Sequence, residues 1–151
     1  MRRDPSLIPL SQQHHNGLAL CVMSRRSMKS DTSAVNCERL AKRIVDRYEL
    51  ELANHFELEE TLLFPAIRSE VGQHPLLDAL EREHRQMERM VNELREKVPS
   101  PDELEQFCAL LEQHIRREER NLFEDVQDRL SVETRTVLLH ELESRAVRIC
   151  L

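Results

Sequence analysis

The sequence has few of the residues on which β-rich folds depend. It contains no tryptophan, one tyrosine and two glycines, and aromatic residues make up only 3% of the chain. Antiparallel sheets need tight turns and strands rich in aromatic and β-branched residues. The composition therefore argues against an all-β fold.

Long apolar runs are also missing. No segment approaches the roughly 18 apolar residues of a membrane span, so we expect no membrane partner. The apolar run in "MRRDPSLIPL" is too short for a signal peptide. The cysteines at positions 21, 37, 108 and 150 form no CxxC pair and no dense framework. This favours buried, reduced thiols over disulfides, and we expect a cytoplasmic protein.

The residues that are abundant suit long amphipathic helices. Hydrophobic residues make up 40% of the chain and charged residues 33%, with a net charge of −6. The negative charge and the absence of a basic patch with interleaved aromatics argue against a nucleic-acid partner. A length of 151 residues is about that of one domain. We expect a single domain over residues 1–151, with its core at about 7–130.

Start and stop signals divide the chain into four long helices and a short fifth one. The expected helices cover residues 11–29, 34–67, 75–98, 100–130 and 131–149. Ser11, Ser100 and Ser131 are the expected N-caps, and Pro65 predicts a kink or an end near residues 61–64. The short connections predict an all-α, up-down-up-down four-helix bundle with a short C-terminal fifth helix.

Apolar residues recur at steps of three and four along each long helix, as bundle packing requires. On the second helix the expected buried stripe includes Leu52, Leu62 and Ala66, and on the third it extends to Val98. Each stripe is interrupted by a histidine. The first and third helices carry a single one, whereas the second and fourth carry HxxxE, in "HFELEETLLFP" and "HIRREERNLFE". This weak repeat predicts two similar helical hairpins packed together.

The interrupted stripes predict a metal site. Residues i and i+4 share a helix face, so His55 with Glu59, and His114 with Glu118, can point at one place. Burying an unpaired carboxylate costs several kcal/mol, and no lysine or arginine lies on these stripes to compensate. A bound cation would compensate both carboxylates. The alternative is a set of partly buried histidines hydrogen-bonded to glutamates without metal. The predicted ligands are His14, His55, Glu59, His84, His114 and Glu118.

The donor set suggests which metals fit. Four histidines and two carboxylates exceed the four ligands that one zinc usually takes. They suit two metals bridged by two carboxylates, and the lack of thiolate favours iron or manganese over copper or a structural zinc. The residues alone therefore predict two metal ions and leave the choice between iron and manganese open.

The pattern of a lone His, HxxxE, a lone His and HxxxE resembles the hemerythrin-like, or HHE cation-binding, domain family over about residues 7–130. "HFELEETLLFPAI" and "EHRQMERMV" are similar to the family's second- and third-helix motifs. The resemblance implies a four-helix bundle with a non-haem di-iron centre that binds oxygen, nitric oxide or peroxide in sensing, scavenging or iron and redox homeostasis. It also implies that the four histidines are terminal ligands and that Glu59 and Glu118 are bridging ligands.

The repeated HxxxE also separates this family from the ferritin-like di-iron bundle. That bundle needs two ExxH motifs, and the sequence has only one, from Glu81 to His84. Oxygen-carrying hemerythrins have a further histidine on the third helix. In this sequence the positions four residues before and after His84 are Leu80 and Glu88, so the further histidine is missing. This predicts an open coordination position on the metal nearest that helix.

Several side chains near the motifs stay open as alternatives. His15 competes with His14 for the first-helix position, and Glu88 is a weaker candidate ligand. Glu60 and Glu119 are expected as solvated residues or as hydrogen-bond partners of ligand histidines. His74 in its loop and His140 beyond the repeat are expected outside the site.

Three functions remain compatible with the sequence. The first is a di-iron protein that binds a small diatomic ligand or peroxide. The second is a di-iron enzyme that breaks down peroxide or oxidises or repairs iron. The third is a metal-free helical interaction module. The sequence leaves open whether the protein is an enzyme and whether it is a monomer or a small homo-oligomer.

Overall fold

The structure, a computed structural model, describes residues 2–149 and is all-helical. Across this range we find five helices and no strand. Helix α1 is Ile8–Ser30 and follows a 3₁₀ turn at Pro5–Leu7. Helix α2 covers residues 34–70, α3 is Leu77–Glu96, α4 covers residues 101–126, and α5 is Val132–Arg145. The prediction of four long helices and a short fifth one is confirmed.

Short side chains fix the helix starts. Ser33, Ser100 and Ser131 each accept a hydrogen bond from the backbone N–H three residues later, so the predicted caps at Ser100 and Ser131 are confirmed. The predicted cap at Ser11 is wrong, because Asp4 caps the preceding 3₁₀ turn and α1 begins at Ile8.

The third and fifth helices end earlier than expected. Helix α3 begins at Leu77 and stops at Glu96, so Val98 is exposed and does not extend the buried stripe. Helix α5 stops at Arg145, four residues short of the expected end at 149. Extended backbone follows both helices, at Lys97 and at Ala146.

Helices α2 and α4 contain π-helical turns. In α2 they are Tyr48–Leu52 and Glu59–Leu63, and in α4 the turn is Glu118–Phe123. A π-helical turn adds a residue to the turn, so every later side chain is rotated around the helix axis. After Glu59 the buried residues are accordingly Leu63, Phe64 and Ile67.

The stripe expected on α2 is therefore wrong after Glu59, since Leu62 and Ala66 are only partly buried. Of the kink or end expected near residues 61–64, the end does not occur. The helix instead changes its geometry there, because the π-helical turn Glu59–Leu63 is followed directly by the α-helical segment Phe64–Glu70, with Pro65 in its first turn. Proline has no backbone N–H to donate, and the π-helical turn before it already interrupts the regular hydrogen bonds of the α-helix.

The four long helices enclose two apolar cores. Helix α1 contacts α2 and α4, α3 contacts the same two helices, and α5 packs against the N-terminal 3₁₀ turn and α1. We name the cores by members: the Leu40 core includes Leu40, Met87 and Phe107, and the Leu80 core includes Leu10, Leu80 and Leu122.

Every long helix passes from one core to the other, in alternating order. Helices α1 and α3 begin in the Leu80 core and continue into the Leu40 core, whereas α2 and α4 run the opposite way. The predicted ligands lie between the two cores on all four helices, in a polar layer across the middle of the protein.

Cysteines 21, 37 and 108 are free, buried thiols, as predicted, and Cys150 lies outside the described residues. Within residues 2–149, no helix combines the length and the hydropathy that crossing a membrane requires.

Candidate metal centre

The structure brings all six predicted ligands together. They form two groups of four, and the donor atoms within each group lie within 4.8 Å of one another. The first is His14, His55, Glu59 and Glu118, and the second is Glu59, His84, His114 and Glu118. We call these the His14–His55 group and the His84–His114 group. Glu59 and Glu118 belong to both, which is the position a bridging carboxylate would take.

Most inward-facing atoms of this layer have no hydrogen-bond partner. Among the described residues, these are Nε2 of His55, His84 and His114, both carboxylate oxygens of Glu59, and Oε1 of Glu118. The atoms are nevertheless close, with His84 Nε2 at 3.2 Å and His55 Nε2 at 3.3 Å from Glu59 Oε1. Buried polar atoms are almost always paired. The layer therefore contains buried polar atoms that a further bound partner would satisfy.

The outer nitrogen of each histidine ring is held by a neighbouring side chain. His14 Nδ1 lies 3.0 Å from Glu119 and His84 Nδ1 lies 2.9 Å from Glu60. His114 Nδ1 lies 2.6 Å from Glu83, and His55 Nδ1 lies 2.9 Å from Gln13 Oε1. These contacts fix each ring with Nε2 facing inward, the arrangement that histidine ligands of metals usually show.

Arginines neutralise the three outer carboxylates. Arg3 lies 2.7 Å from Glu119, Arg117 lies 2.6 Å from Glu83, and Arg85 pairs with Glu60 at 2.5 Å. Three histidines are thus each backed by a glutamate and then by an arginine. His55 is the exception, because its partner Gln13 is neutral.

The charges of the metal-free layer are strongly perturbed. Burial and the negative charge of Glu118 raise the pKa of Glu59 well above its usual range. Burial also acts to raise the pKa of Glu118, but the positive charge of His114 and the hydrogen bond between Glu118 and His14 outweigh burial and hold this pKa well below the usual range. Two buried carboxylates this close cannot both be charged without a compensating cation.

The two HxxxE histidines differ in charge. Burial and the nearby His14 lower the pKa of His55 to about 3. Burial also disfavours the charged form of His114, yet Glu118 and Glu83 outweigh it and raise the pKa to about 9. At neutral pH the metal-free layer therefore holds a neutral His55 beside a protonated His114.

Aromatic rings shield the layer from water. The Phe56 ring stacks on His84 with centroids 4.1 Å apart, and Phe123 stacks on His14 at 5.5 Å. Because these rings are buried, they lower the local dielectric and strengthen every charge interaction in the layer.

The structure also separates the candidate ligands that the sequence left open. His14 is buried in the layer, whereas His15 and His140 are exposed. Glu88 is half-buried beside Arg85 and outside both groups, and Glu81 pairs with Arg68. His74 bonds Asp125 and accepts a hydrogen bond from the backbone of Leu76, so it also lies outside the site. Glu60 and Glu119 contact ligand histidines, which is one of the two roles expected for them.

Sequence reasoning missed Gln13 and Glu83. Each residue directly precedes a lone histidine and contacts the HxxxE histidine of the same group. The internal repeat offered a signal for both, because Gln13 stands directly before His14 in α1 and Glu83 directly before His84 in α3.

Known proteins resemble this chain to different extents. The "DNA nickase" of Nostoc sp. (strain PCC 7120 / SAG 25.82 / UTEX 2576) is 30% identical over 87 residues, which are 55% of this chain and 24% of that protein. The chain thus matches about a quarter of the length of that relative. No solved structure matches significantly. The family model of the hemerythrin HHE cation binding domain matches residues 9–126, which is most of the chain and includes all six residues of the two groups. This chain therefore belongs to the hemerythrin HHE cation-binding domain family.

Proposed function

We propose that the polar layer holds two metal ions, one in each group of four, with Glu59 and Glu118 shared between them. The observation that supports this most directly is the set of buried inward-facing donor atoms without hydrogen-bond partners. A cation bound at each group would partner these atoms and compensate the negative charge of the two carboxylates.

The donor set favours iron. Imidazole and carboxylate are the only donors in the two groups, and none of the described cysteines belongs to either. Such a set suits iron or manganese better than copper or a structural zinc. We infer two non-haem iron ions, with manganese or zinc as alternatives.

The chain's own residues would bind the metal ions and orient the histidine rings, and would not react themselves. The histidines bind through Nε2 while the outer partners fix each ring, and the buried aromatic rings exclude water. Iron, when bound, supplies redox chemistry and coordination positions for a small molecule. We infer that the protein binds oxygen, nitric oxide or peroxide, in sensing, scavenging or iron and redox homeostasis.

The open coordination position expected on the metal nearest α3 stays a prediction, but donor number alone does not support it. Each group contains two histidines and the two shared glutamates, so the number of donors does not differ between the two ends. The third-helix position four residues before His84 is Leu80, and the corresponding first-helix position is Leu10; both belong to the Leu80 core. Donor number therefore does not favour ligand binding next to α3.

The alternating order in which the helices cross the two cores supports the up-down-up-down bundle predicted from the short connections.

A di-iron enzyme remains the second candidate, since the same site could break down peroxide or oxidise iron. The name of the nicking relative describes a protein of which this chain matches only 24%. DNA nicking is therefore not part of the proposal.

Metal analysis tests the proposed function. The protein is purified without chelator, and its metal content and visible spectrum are recorded before and after exposure to air. We expect two irons per chain and a charge-transfer band that changes with oxygen or azide. Absence of metal, before and after loading with ferrous iron, would leave the metal-free interaction module. Catalytic turnover of peroxide by the iron-loaded protein would favour the enzyme.

A further inference from the structure

The internal repeat includes the side chains that contact the outer nitrogens of the HxxxE histidines, but the two halves differ at one of these positions, where α1 has Gln13 and α3 has Glu83. Gln13–His14 on α1 corresponds to Glu83–His84 on α3, because in both pairs the first residue contacts the HxxxE histidine of its group. Glu83 is backed by Arg117, whereas Gln13 is a neutral amide without a cation. The substitution of an amide for a carboxylate needs a reason.

The hydrogen bonds of Gln13 supply one. Its Oε1 lies 2.9 Å from His55 Nδ1, while its Nε2 donates to the backbone oxygen of Val147 and to Asn54 Oδ1, both at 3.0 Å. A carboxylate accepts hydrogen bonds but cannot donate, so glutamate could bond His55 but not Val147. Only an amide can join His55 to the segment after α5.

Gln13 also lies between two spaces. On the outside is a cavity of about 520 Å³ between α1 and residues 146–149, which also contacts Ser11, His15 and Glu51. On the inside is a space too narrow for water, bordered by His14, His55 and His114. Among the described residues, Gln13 alone borders both spaces.

Asn54 fastens the C-terminal segment over this position. Its Oδ1 accepts a hydrogen bond from Val147 N at 3.0 Å, and its Nδ2 donates to Arg145 O at 3.1 Å. Residues 145–147 are therefore held to α2 by Asn54 and to α1 by Gln13. This segment lies outside the residues 9–126 that match the family model.

We propose that Gln13 is a latched gate between the outer cavity and the His14–His55 group, with Asn54 and the backbone of residues 145–147 as its latch. When the latch opens, the Gln13 side chain turns away, and an ion or a small ligand passes between the cavity and the layer. The proposal rests on the metal site proposed above. It makes Gln13 a positioning residue for His55 that also controls access.

The test measures how fast metal leaves. Full-length protein is loaded with cobalt(II), mixed with excess EDTA, and followed by the cobalt absorbance. The variants are Gln13→Ala, which removes the gate, and Asn54→Ala, which unfastens the latch but leaves the Gln13–His55 contact. Each variant removes three of these hydrogen bonds, and the loss of even one corresponds to about a tenfold change in rate. We therefore expect each variant to release half of its cobalt at least about tenfold faster than wild type. The other half should leave at the wild-type rate.

Glu70→Ala is the matched control. Glu70 holds the start of α5 by accepting hydrogen bonds from Ser131 N and Ser131 Oγ, both at 2.8 Å, and it does not line the outer cavity. We expect it to release cobalt at the wild-type rate even where it lowers the melting temperature. Equal acceleration by Glu70→Ala would mean general loosening and would overturn the gate.

The remaining outcomes separate the two proposals. Cobalt bound at two per chain but released equally fast by wild type, Gln13→Ala and Asn54→Ala would overturn the gate and leave the metal site intact. Acceleration by Gln13→Ala alone would overturn the latch, because Gln13 would then act only on His55. No cobalt binding by wild type would overturn the metal site, and the gate with it.

Discussion

The two ends of the polar layer carry the same types of candidate ligand but hold them differently. In the His84–His114 group both outer partners are glutamates, each paired with an arginine on a long helix. In the His14–His55 group the outer partners are Glu119 and Gln13, which contact Arg3 and Val147 near the two ends of the chain. One end is thus stabilised from within the four long helices, and the other depends on the terminal segments. A repeat in sequence has produced two sites with different electrostatics and different access.

The largest loss of metal binding and stability is expected at the glutamates that both groups share, because their substitution affects both groups at once. Glu59→Ala and Glu118→Ala should each reduce binding at both groups, whereas His55→Ala should cost at least one ion and leave the His84–His114 group. We expect a stability loss of about 3–5 kcal/mol, because each change leaves buried charges uncompensated. Metal analysis and thermal unfolding measure both effects.

His74→Ala and His140→Ala are the controls for these variants, since both residues lie outside the layer. They should keep wild-type metal content. Wild-type metal content in His55→Ala would contradict the site assignment.

The next effect comes from making the two ends alike. Glu83→Gln gives His114 an amide partner like that of His55, and we expect about 10–100-fold weaker metal binding at the His84–His114 group. Titration with cobalt(II) against a competing chelator measures it. Gln13→Glu is the reverse change and should tighten equilibrium binding at the His14–His55 group while losing the donor to Val147. Identical binding curves for wild type and both variants would show that the outer partners do not tune the ions.

The charge difference between His55 and His114 gives a third prediction, for the metal-free protein. At pH 7 the ¹⁵N chemical shifts of the ring nitrogens should be those of an imidazolium for His114 and those of a neutral imidazole for His55. A single protonation state shared by both rings would contradict the assignment.

These two histidines should also give opposite pH dependences of stability. The pKa of His114 is raised to about 9, so its stabilising contribution is complete below its unfolded pKa of about 6.5 and is lost as the pH rises through 9. The pKa of His55 is lowered to about 3, so its unfolded form binds a proton first and stability falls as the pH drops from 6.5 towards 3. Urea unfolding of the metal-free protein, with His114→Gln and His55→Gln as references, separates the two contributions.

The smallest effect is expected at Gly17, three residues after His14, where α3 has Met87 three residues after His84. A Cβ at this position would lie 3.1 Å from Ile115 Cδ1 and 3.7 Å from Leu111 Cδ2. The tight contact opposes a helix-propensity gain of about 1 kcal/mol, so Gly17→Ala should change the free energy of unfolding by less than that. Chemical denaturation measures it, and metal content should not change.

The sequence predicted which polar side chains lie together in the layer better than it predicted the packing around them. Buried histidines and glutamates at steps of four indicate a shared face, and all six lie in the layer. The same periodicity failed after Glu59, because the π-helical turn changes the residue spacing on which the stripe of Leu62 and Ala66 was based. Hydrophobic spacing alone does not indicate where such a turn occurs.

The outer partners were hard to predict for a different reason. Glu60 and Glu119 directly follow the glutamates of the two HxxxE motifs, so the sequence marked them as candidate partners, although it did not show that they contact His84 and His14 on other helices. Gln13 and Glu83 contact histidines on other helices, and those contacts depend on how α1 faces α2 and how α3 faces α4. The link from Gln13 to Val147 also depends on where the segment after α5 lies, which no motif indicates.

The polar layer between the Leu40 and Leu80 cores has a consequence for how the protein folds. Apolar contacts hold each core together, but between the cores lie side chains that repel or fail to satisfy one another without a cation. Two ions, each held by residues of three helices and together by all four, would tie the two halves into one cooperative unit. Without them, the halves should open separately, and amide hydrogen exchange should then show two protection levels that merge when metal is added.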